Sequence, residues 1–435
     1  MSSYPFFSKM REYVQRSPLL HRFASAAMWN IVAVGLPRLV PLLAFIIVGR
    51  MLGKEGFGAL GVIQSTITMI GTLAGFGLGI TATVAVPRYR HTDSAKAGRI
   101  LALAISLVLL VSLLLTTLLI WFAPYIAKTW LNSEDLDKAL RIASLLLILN
   151  ALNGVQLAAL AGLEAFKDSA IASMWSSGLS LMCMAGAFLG LEGAIASLVI
   201  SSFVGCVVSN VTLRRVAVRA GVPLSFATCW REYALVLGYS VPAGLSSLIY
   251  APFFWFCTTL ILKTPQGYSE MGEFTAADQW RSLLILIPSI LGQAAIPIIA
   301  DCLARGQQKD VVQLVRDLAS SLAWLSVPLF LVLCACSPLI MAAYGSEFKG
   351  AWLCFCILQA VVLVQVLQSP VVKFMEASGD LWLLFFFNIA HGLVMLVSTY
   401  HLISLGAKGL ALGLLVAIVF HSMCLGAYAF GRVTR

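Results

Sequence analysis

The chain has 435 residues, of which 60% are hydrophobic and 11% charged, with a net charge of +10 and a mean hydropathy of +0.93. A soluble domain is about a quarter charged and roughly half apolar, so this composition excludes a water-soluble fold. The apolar residues fall in blocks of about 18 to 28, long enough to cross a hydrocarbon core of roughly 30 Å as helices and too continuous for the alternating strands of a barrel.

Residues 1–22 form a polar amino-terminal segment in which Phe6, Phe7, Met10, Tyr13 and Val14 alternate with Lys9, Arg11, Glu12 and Arg16. That pattern suits either a short interfacial helix on the cytoplasmic leaflet or a frayed tail. The apolar block that follows runs past signal-peptide length, so no cleavage is expected.

Spans are expected at 23–49, 57–86, 99–122, 139–162, 169–190, 193–212, 233–262, 274–300, 317–341, 350–369, 381–403 and 409–430, about twelve helices in an all-α integral membrane fold. Lys and Arg concentrate in alternate connections, with clusters at Lys9, Arg11, Arg16 and Arg22, at Arg88, Arg90, Lys96 and Arg99, and at Arg214, Arg215, Arg219 and Arg231. Positive charge stays inside, which places both termini in the cytoplasm of a multi-pass protein of the cytoplasmic membrane. The same reading takes the excess charge as a topology signal, with no nucleic-acid partner.

The longest cytoplasmic connection, 213–232, is basic and falls mid-chain, so it is expected to link two six-helix bundles, 23–212 and 233–430, before a short tail at 431–435. Weak internal similarity supports the division, because Gly56–Ser65 can be laid on Gly272–Ser282. Matching faces would then enclose a central cavity near the bilayer midplane.

Charges in mid-bilayer are costly and usually functional or paired. Arg38 lies in the first span between Pro37 and Pro41, prolines that free carbonyls and are expected to kink or loosen the helix there. Its own span offers no acidic neighbour, so it faces either a ligand cavity or a distant carboxylate. Arg281 follows Asp278 by three residues, a spacing that allows neutralisation within one helix. Asn150, Asn153 and Gln156 share a face of the fourth span, fit to bond sugar hydroxyls or a neighbouring helix. Pro242, Ser246 and Ser247 make a second candidate polar kink in the seventh span. Gly71, Gly75 and Gly79, four apart, are expected to let helices approach. His391, His401 and His421 read as structural residues or proton carriers. The ten cysteines sit in or beside apolar blocks without metal-type spacing and read as small hydrophobes. Gly49–Lys54 falls one residue short of a phosphate-binding loop, and no hydrolase motif is present, so neither a cofactor nor a nucleotide engine is encoded.

Two stretches carry a family resemblance. Gly35-Leu36-Pro37-Arg38-Leu39 with Gly49-Arg50-Met51-Leu52-Gly53-Lys54-Glu55-Gly56-Phe57-Gly58 resembles the opening of bacterial polysaccharide flippases. Gln368 to Asp380 looks like their turn between the tenth and eleventh spans. The resemblance implies the multidrug, oligosaccharidyl-lipid and polysaccharide exporter fold, and a substrate in which diphosphate joins an oligosaccharide to a polyprenyl lipid. Arg38 and Arg281 are then the expected diphosphate ligands, since the planar guanidinium matches phosphate oxygens. Arg50 is a third candidate at the outer mouth. Membrane lipids, and a glycan polymerase or glycosyltransferases, are the further implied partners. An ion-coupled drug antiporter of the same superfold would need membrane carboxylates, where the spans offer essentially Asp278. A membrane glycosyltransferase or polymerase would have to work from Glu134, Asp135 and Asp137 in the 123–138 loop.

Reporter fusions after Arg219 and after Pro265 should report the cytoplasm and the outside respectively; the same side for both overturns the orientation.

Overall fold

The computed structural model describes residues 18–433 except 76, 91, 180, 182–185, 238–239, 241–243, 245–247, 282–283, 286–298 and 300–307, with side chains described essentially from Val40 onward. The interfacial segment before Pro18, the side chain of Arg38, and the Pro242, Ser246 and Ser247 cluster lie outside the described residues.

All regular structure among the described residues is helical. Among the described residues the longer helices are α1 (Pro18–Gly75), α2 (Leu78–Tyr89), α3 (Ser94–Thr129), α4 (Leu136–Gly162), α5 (Phe166–Leu179), α6 (Gly190–Arg219), α7 (Tyr250–Ile261), α8 (267–281), α9 (Gln308–Ala343), α10 (Trp352–Ser378), α11 (Leu381–Leu402) and α12 (Ala407–Val433), and residues 233–237 are helical as well. Among the described residues, eight helical stretches are long and apolar enough to cross a membrane. Lipid offers the backbone no hydrogen-bond partner, so the chain satisfies it within helices.

Breaks fall where the backbone permits them. The first two expected spans join in α1, whose backbone stays helical through Pro37 and Pro41; its one non-helical residue is Gly53, at φ 66°. That conformation is open to glycine and strained for residues with a Cβ. The expected span 57–86 is divided in turn, because Gly77 takes φ 69° ahead of α2. The expected span 233–262 is also not one helix: a turn at 248–249 precedes α7, whose Pro252 sits in the first turn, where its missing N–H has no helical partner to lose. The expected span 169–190 is helical to Leu179, and α6 starts at Gly190 after a turn at 188–189.

Contacts divide the chain into two compact units, Val32–Gly272 and Glu273–Arg435 with Met1–Ile31. In the first, α4 packs on α2, α3 and α6, and α6 packs on α5. Its core is built largely from small and aliphatic residues, with Ala82, Val86, Ala97, Leu101, Ala159 and Leu213 in one cluster and Leu78, Ile100, Leu103, Val155 and Val236 in another. In the second, α10 packs on α9 and α12, and α12 also packs on α11, around Val311, Leu318, Leu322, Val362 and Val366. Outside these cores the apolar side chains face outward. Only 17% of an 18-residue apolar stretch of α9 is buried, and Trp121, Phe122, Leu331 and Leu339 are exposed, as expected when lipid is the solvent.

The tightest glycine contacts are not in the four-spaced set of the second span, where a Cβ at Gly79 would meet Ala158 Cβ at 3.4 Å. A Cβ at Gly75 would meet nothing within 4 Å, and one at Gly71 only Leu147 Cδ2 at 3.8 Å. The tight contacts are elsewhere: a Cβ at Gly58 would overlap Tyr268 O, and one at Gly272 would overlap Lys54 O. The periodicity of Gly71, Gly75 and Gly79 marks a face but not what lies opposite, and the break at Gly77 ends their common helix. The segments around Gly58 and Gly272, by contrast, are the ones the internal similarity aligns, and they touch at these glycines.

Gly58→Ala should lower stability by roughly 1 to 3 kcal/mol through overpacking, while Gly75→Ala should be neutral or slightly stabilising; thermal unfolding in detergent measures both.

Candidate functional site

The first described site builds up on α8. Asp278 and Arg281 lie three residues apart, so both project from one side of the helix, and Arg281 Nε contacts Asp278 Oδ1 at 2.7 Å. Both are partly exposed, and the pair is net neutral. The helix is fixed beside them by Trp280, whose Nε1 donates to Tyr344 Oη at 3.2 Å and whose ring meets Phe355 edge-on. Structure and spacing agree here: the aspartate is the arginine's partner within its own helix.

Arg50 is exposed on α1, one turn before Gly53. Asn150 is exposed on α4, whereas the other two polar residues of its face turn to α6. Ser209 Oγ donates to Asn153 Oδ1 at 2.7 Å, and Cys206 Sγ approaches Gln156 Oε1 at 3.8 Å with the glutamine buried. Of the two uses open to this face, Asn153 and Gln156 take up interhelical bonding. Arg38 lies in the helical backbone of α1.

Sequence reasoning missed a polar pocket of about 360 Å³ within the first unit, lined by Glu55, Asn132, Ser133, Thr264, Gln266 and Tyr268 among others. Three separate connections supply it: the start of α1's second part, the turn between α3 and α4, and the approach to α8. Asn132 adopts φ 53°, a left-handed turn that asparagine tolerates. Tyr268 donates to Leu131 O and locks that turn to α8. Burial pushes the Tyr268 phenol up to about 12, so it remains a donor at neutral pH. The hydroxyls, amides and single carboxylate of this lining can exchange hydrogen bonds with a hydroxyl-rich ligand. The turn sequence Leu131-Asn132-Ser133 was the available signal, but only the fold brings it to Thr264 and Gln266.

The acidic loop is committed to exposed ion pairs. Lys128 meets Glu134 at 2.7 Å and, by hydrogen bond and charge, holds that carboxyl below its ordinary range. Arg141 meets Asp137 at 2.9 Å. At the other ends of these helices, Arg90 reaches Glu164 at 2.7 Å, and Arg99 joins Glu232 at 2.8 Å to tie the basic connection to α3. Among the described residues, Cys206, Cys229, Cys257, Cys334, Cys336, Cys354, Cys356 and Cys424 form no disulfide, and no cluster of His, Cys, Asp or Glu could hold a metal.

A chain helical throughout its described residues, with apolar spans and outward-facing apolar side chains, is a polytopic membrane protein. The chain belongs to the polysaccharide biosynthesis protein family, whose model matches residues 23–303. It is 23% identical over 407 residues to the EPS I polysaccharide export inner membrane protein EpsE of Ralstonia nicotianae, covering 92% of this chain and 91% of that one. Its fold is shared with an inward-facing multidrug resistance MATE family transporter of the MOP superfamily, at TM-score 0.76 and 15% identity, covering 93% of this chain and 98% of that one. The lipid II flippase MurJ, inward closed, matches at TM-score 0.72 and 13% identity over 92% and 87%. The all-α, two-lobe fold expected from the sequence is thus the fold of the chain.

Asn153→Ala should cost about 0.6 kcal/mol, and at most about 1.7, through the lost bond to α6, and Asn150→Ala essentially nothing; reversible unfolding in bicelles compares them.

Proposed function

We propose that this protein is a flippase that carries a polyprenyl-diphosphate-linked oligosaccharide across the cytoplasmic membrane by alternating access, for export of a surface polysaccharide. The observation that carries the reading is membership of the polysaccharide biosynthesis family over residues 23–303, on a fold shared with a lipid II flippase. A drug antiporter of the same superfold needs a membrane carboxylate able to take cations, and Asp278 already has Arg281 at 2.7 Å. An enzymatic reading would draw on the 123–138 loop, where Glu134 and Asp137 sit in exposed ion pairs.

In this reading both termini are cytoplasmic, and two six-helix halves alternate around a central cavity. The diphosphate is met there by Arg38 and Arg281, with Arg50 nearer the outer mouth. A diphosphate in a low-dielectric cavity needs cations that stay charged, and arginine supplies them with two-pronged geometry. The polar pocket beside Tyr268 suits the sugars better than the lipid, because its lining mixes hydroxyls and amides. Glycosyltransferases and a polymerase at the same membrane are the partners this chemistry calls for.

The test is complementation of a strain that lacks its own flippase, read as surface glycan. Arg38→Ala should insert and accumulate normally, since a costly mid-membrane charge is gone, yet lose a charge-assisted contact of about 1.5 to 3 kcal/mol and with it most transport. Arg38→Lys should retain partial activity. Full glycan from a stable Arg38→Ala protein removes the residue from the site, and failure to accumulate makes its role structural.

A further inference from the structure

The last three helices of the second unit bring together residues far apart in the chain. α12 packs on both α10 and α11, and the imidazoles of His391 on α11 and His421 on α12 lie 5.2 Å apart, centre to centre. Across from them, Gln368 Oε1 on α10 accepts from Ser422 Oγ at 2.7 Å and lies 3.2 Å from His421 Nδ1. A carbonyl oxygen has only lone pairs to offer, so His421 Nδ1 carries the hydrogen and Nε2 is left with the bare lone pair. His421 is 4% exposed, and its Nε2 is buried without a hydrogen-bond partner among the described residues. The structure therefore holds a buried basic nitrogen beside a second imidazole.

A further polar level lies on the same helices. Gln359 on α10 and Thr399 on α11 are fully buried, and both side-chain atoms of the glutamine and the hydroxyl of the threonine are without partners among the described residues. Gly413 on α12 completes this level, since a Cβ there would overlap Thr399 Oγ1. Eight or nine residues separate Gln359 from Gln368, Thr399 from His391 and Gly413 from His421, roughly 12 to 14 Å of helix. α10 and α11 reverse direction at Gly379 and Asp380, so Gln368 pairs in level with His391, and Gln359 with Thr399. Polar side chains thus occupy two levels of these helices, roughly 12 to 14 Å apart along their axes.

We propose that His391 and His421 form a binding site for a single proton. The incoming proton leaves a hydronium ion and bonds to the lone pair of His421 Nε2, so that one O–H bond breaks and one N–H bond forms, with the His391 ring centre 5.2 Å from that of His421. One positive charge then occupies the pair, and its repulsion opposes a second. Of the other titratable groups on these three helices, Cys354 and Cys356 lie near the Trp352 end of α10, Tyr400 near the end of α11 and Arg432 near the end of α12. Lys373 and Glu376 pair with each other at 2.8 Å beyond Gln368, and Asp380 accepts from Tyr428 at the turn. Cys424 follows His421 by one turn, and His401 and Lys408 lie near the opposite ends of α11 and α12. The site stands on this geometry and is independent of the flippase reading; with that reading it would supply a proton to couple to translocation.

The experiment is histidine-15N NMR of the full chain in lipid nanodiscs, titrated from about pH 5 to 9, with the five histidines assigned by single substitutions. Neutral His421 should show the Nδ1–H tautomer. The His391 and His421 signals should move together as one proton is taken up between them, the second following at least about one pH unit lower. His421→Gln should abolish the joint step, Gln368→Glu should move it up by about one unit or more by placing a carboxylate on Nδ1, and His401→Gln should leave it in place. Independent titration of the two imidazoles, an Nε2–H tautomer of His421, or a pair that stays neutral throughout overturns the proposal, and wild type alone decides between them should a variant fail to fold.

Discussion

A backbone amide in hydrocarbon has no partner but another backbone group, and that constraint orders the rest of this molecule. It forces the apolar blocks into helices and confines their interruptions to places where a residue can leave helical geometry cheaply. Gly53 and Gly77 are such places, and the two divide the amino-terminal part into pieces that can point differently. It also inverts the usual distribution of apolar side chains. With lipid outside, α9 exposes Trp324, Leu331, Val332 and Leu339 without penalty, and the core needs only to be well packed.

Packing between such helices gains little from hydrophobicity, since lipid tails are as apolar as leucine, so close backbone approach and interhelical bonds take over. Both are visible in the first unit. Gly58 and Gly272 bring the backbones at Tyr268 and Lys54 near enough that a methyl group would not fit. Trp255 donates to Thr66, Thr81 and Ser240 share a hydrogen bond, and Ser209 holds Asn153. Each of these joins helices distant in the chain, which is why small and hydroxylated residues recur in otherwise apolar sequence.

The helices were legible in the sequence because hydropathy reports burial in lipid directly, and the pairing of Arg281 with Asp278 was legible because both partners lie on one helix. What depends on the register of two helices was not. Asn153 and Gln156 announce a polar face, but Ser209 and Cys206 cannot be named as partners until α4 and α6 are placed. His391 and His421 are separated by a connection and two half-helices, and the pocket beside Tyr268 draws on three loops. The breaks were illegible for another reason: hydropathy is blind to φ, so a glycine that ends a helix and one that merely sits in it contribute alike. The division at 213–232 was inferred from charge, whereas contacts divide the chain at Gly272; charge reports which side of the membrane a loop occupies and contacts report packing, so the two need not coincide.

The polar groups of the spans fall into two physical kinds. Where opposite charges are close in sequence, as with Arg281 and Asp278 or Lys373 and Glu376, the pair is neutral within its own helix and its cost is met locally. Where a group that can bind a proton is buried among neutral ones, as His421 is, it has no such local compensation, and its charge state is set by what surrounds it. A transporter needs both kinds: the first keeps a span compatible with lipid, and only the second can change its charge during a cycle without unpairing something else. The second kind sits on α11 and α12, whose packing on each other brings two imidazole rings to within 5.2 Å, centre to centre, and there a single proton alters the electrostatics of the whole helix pair.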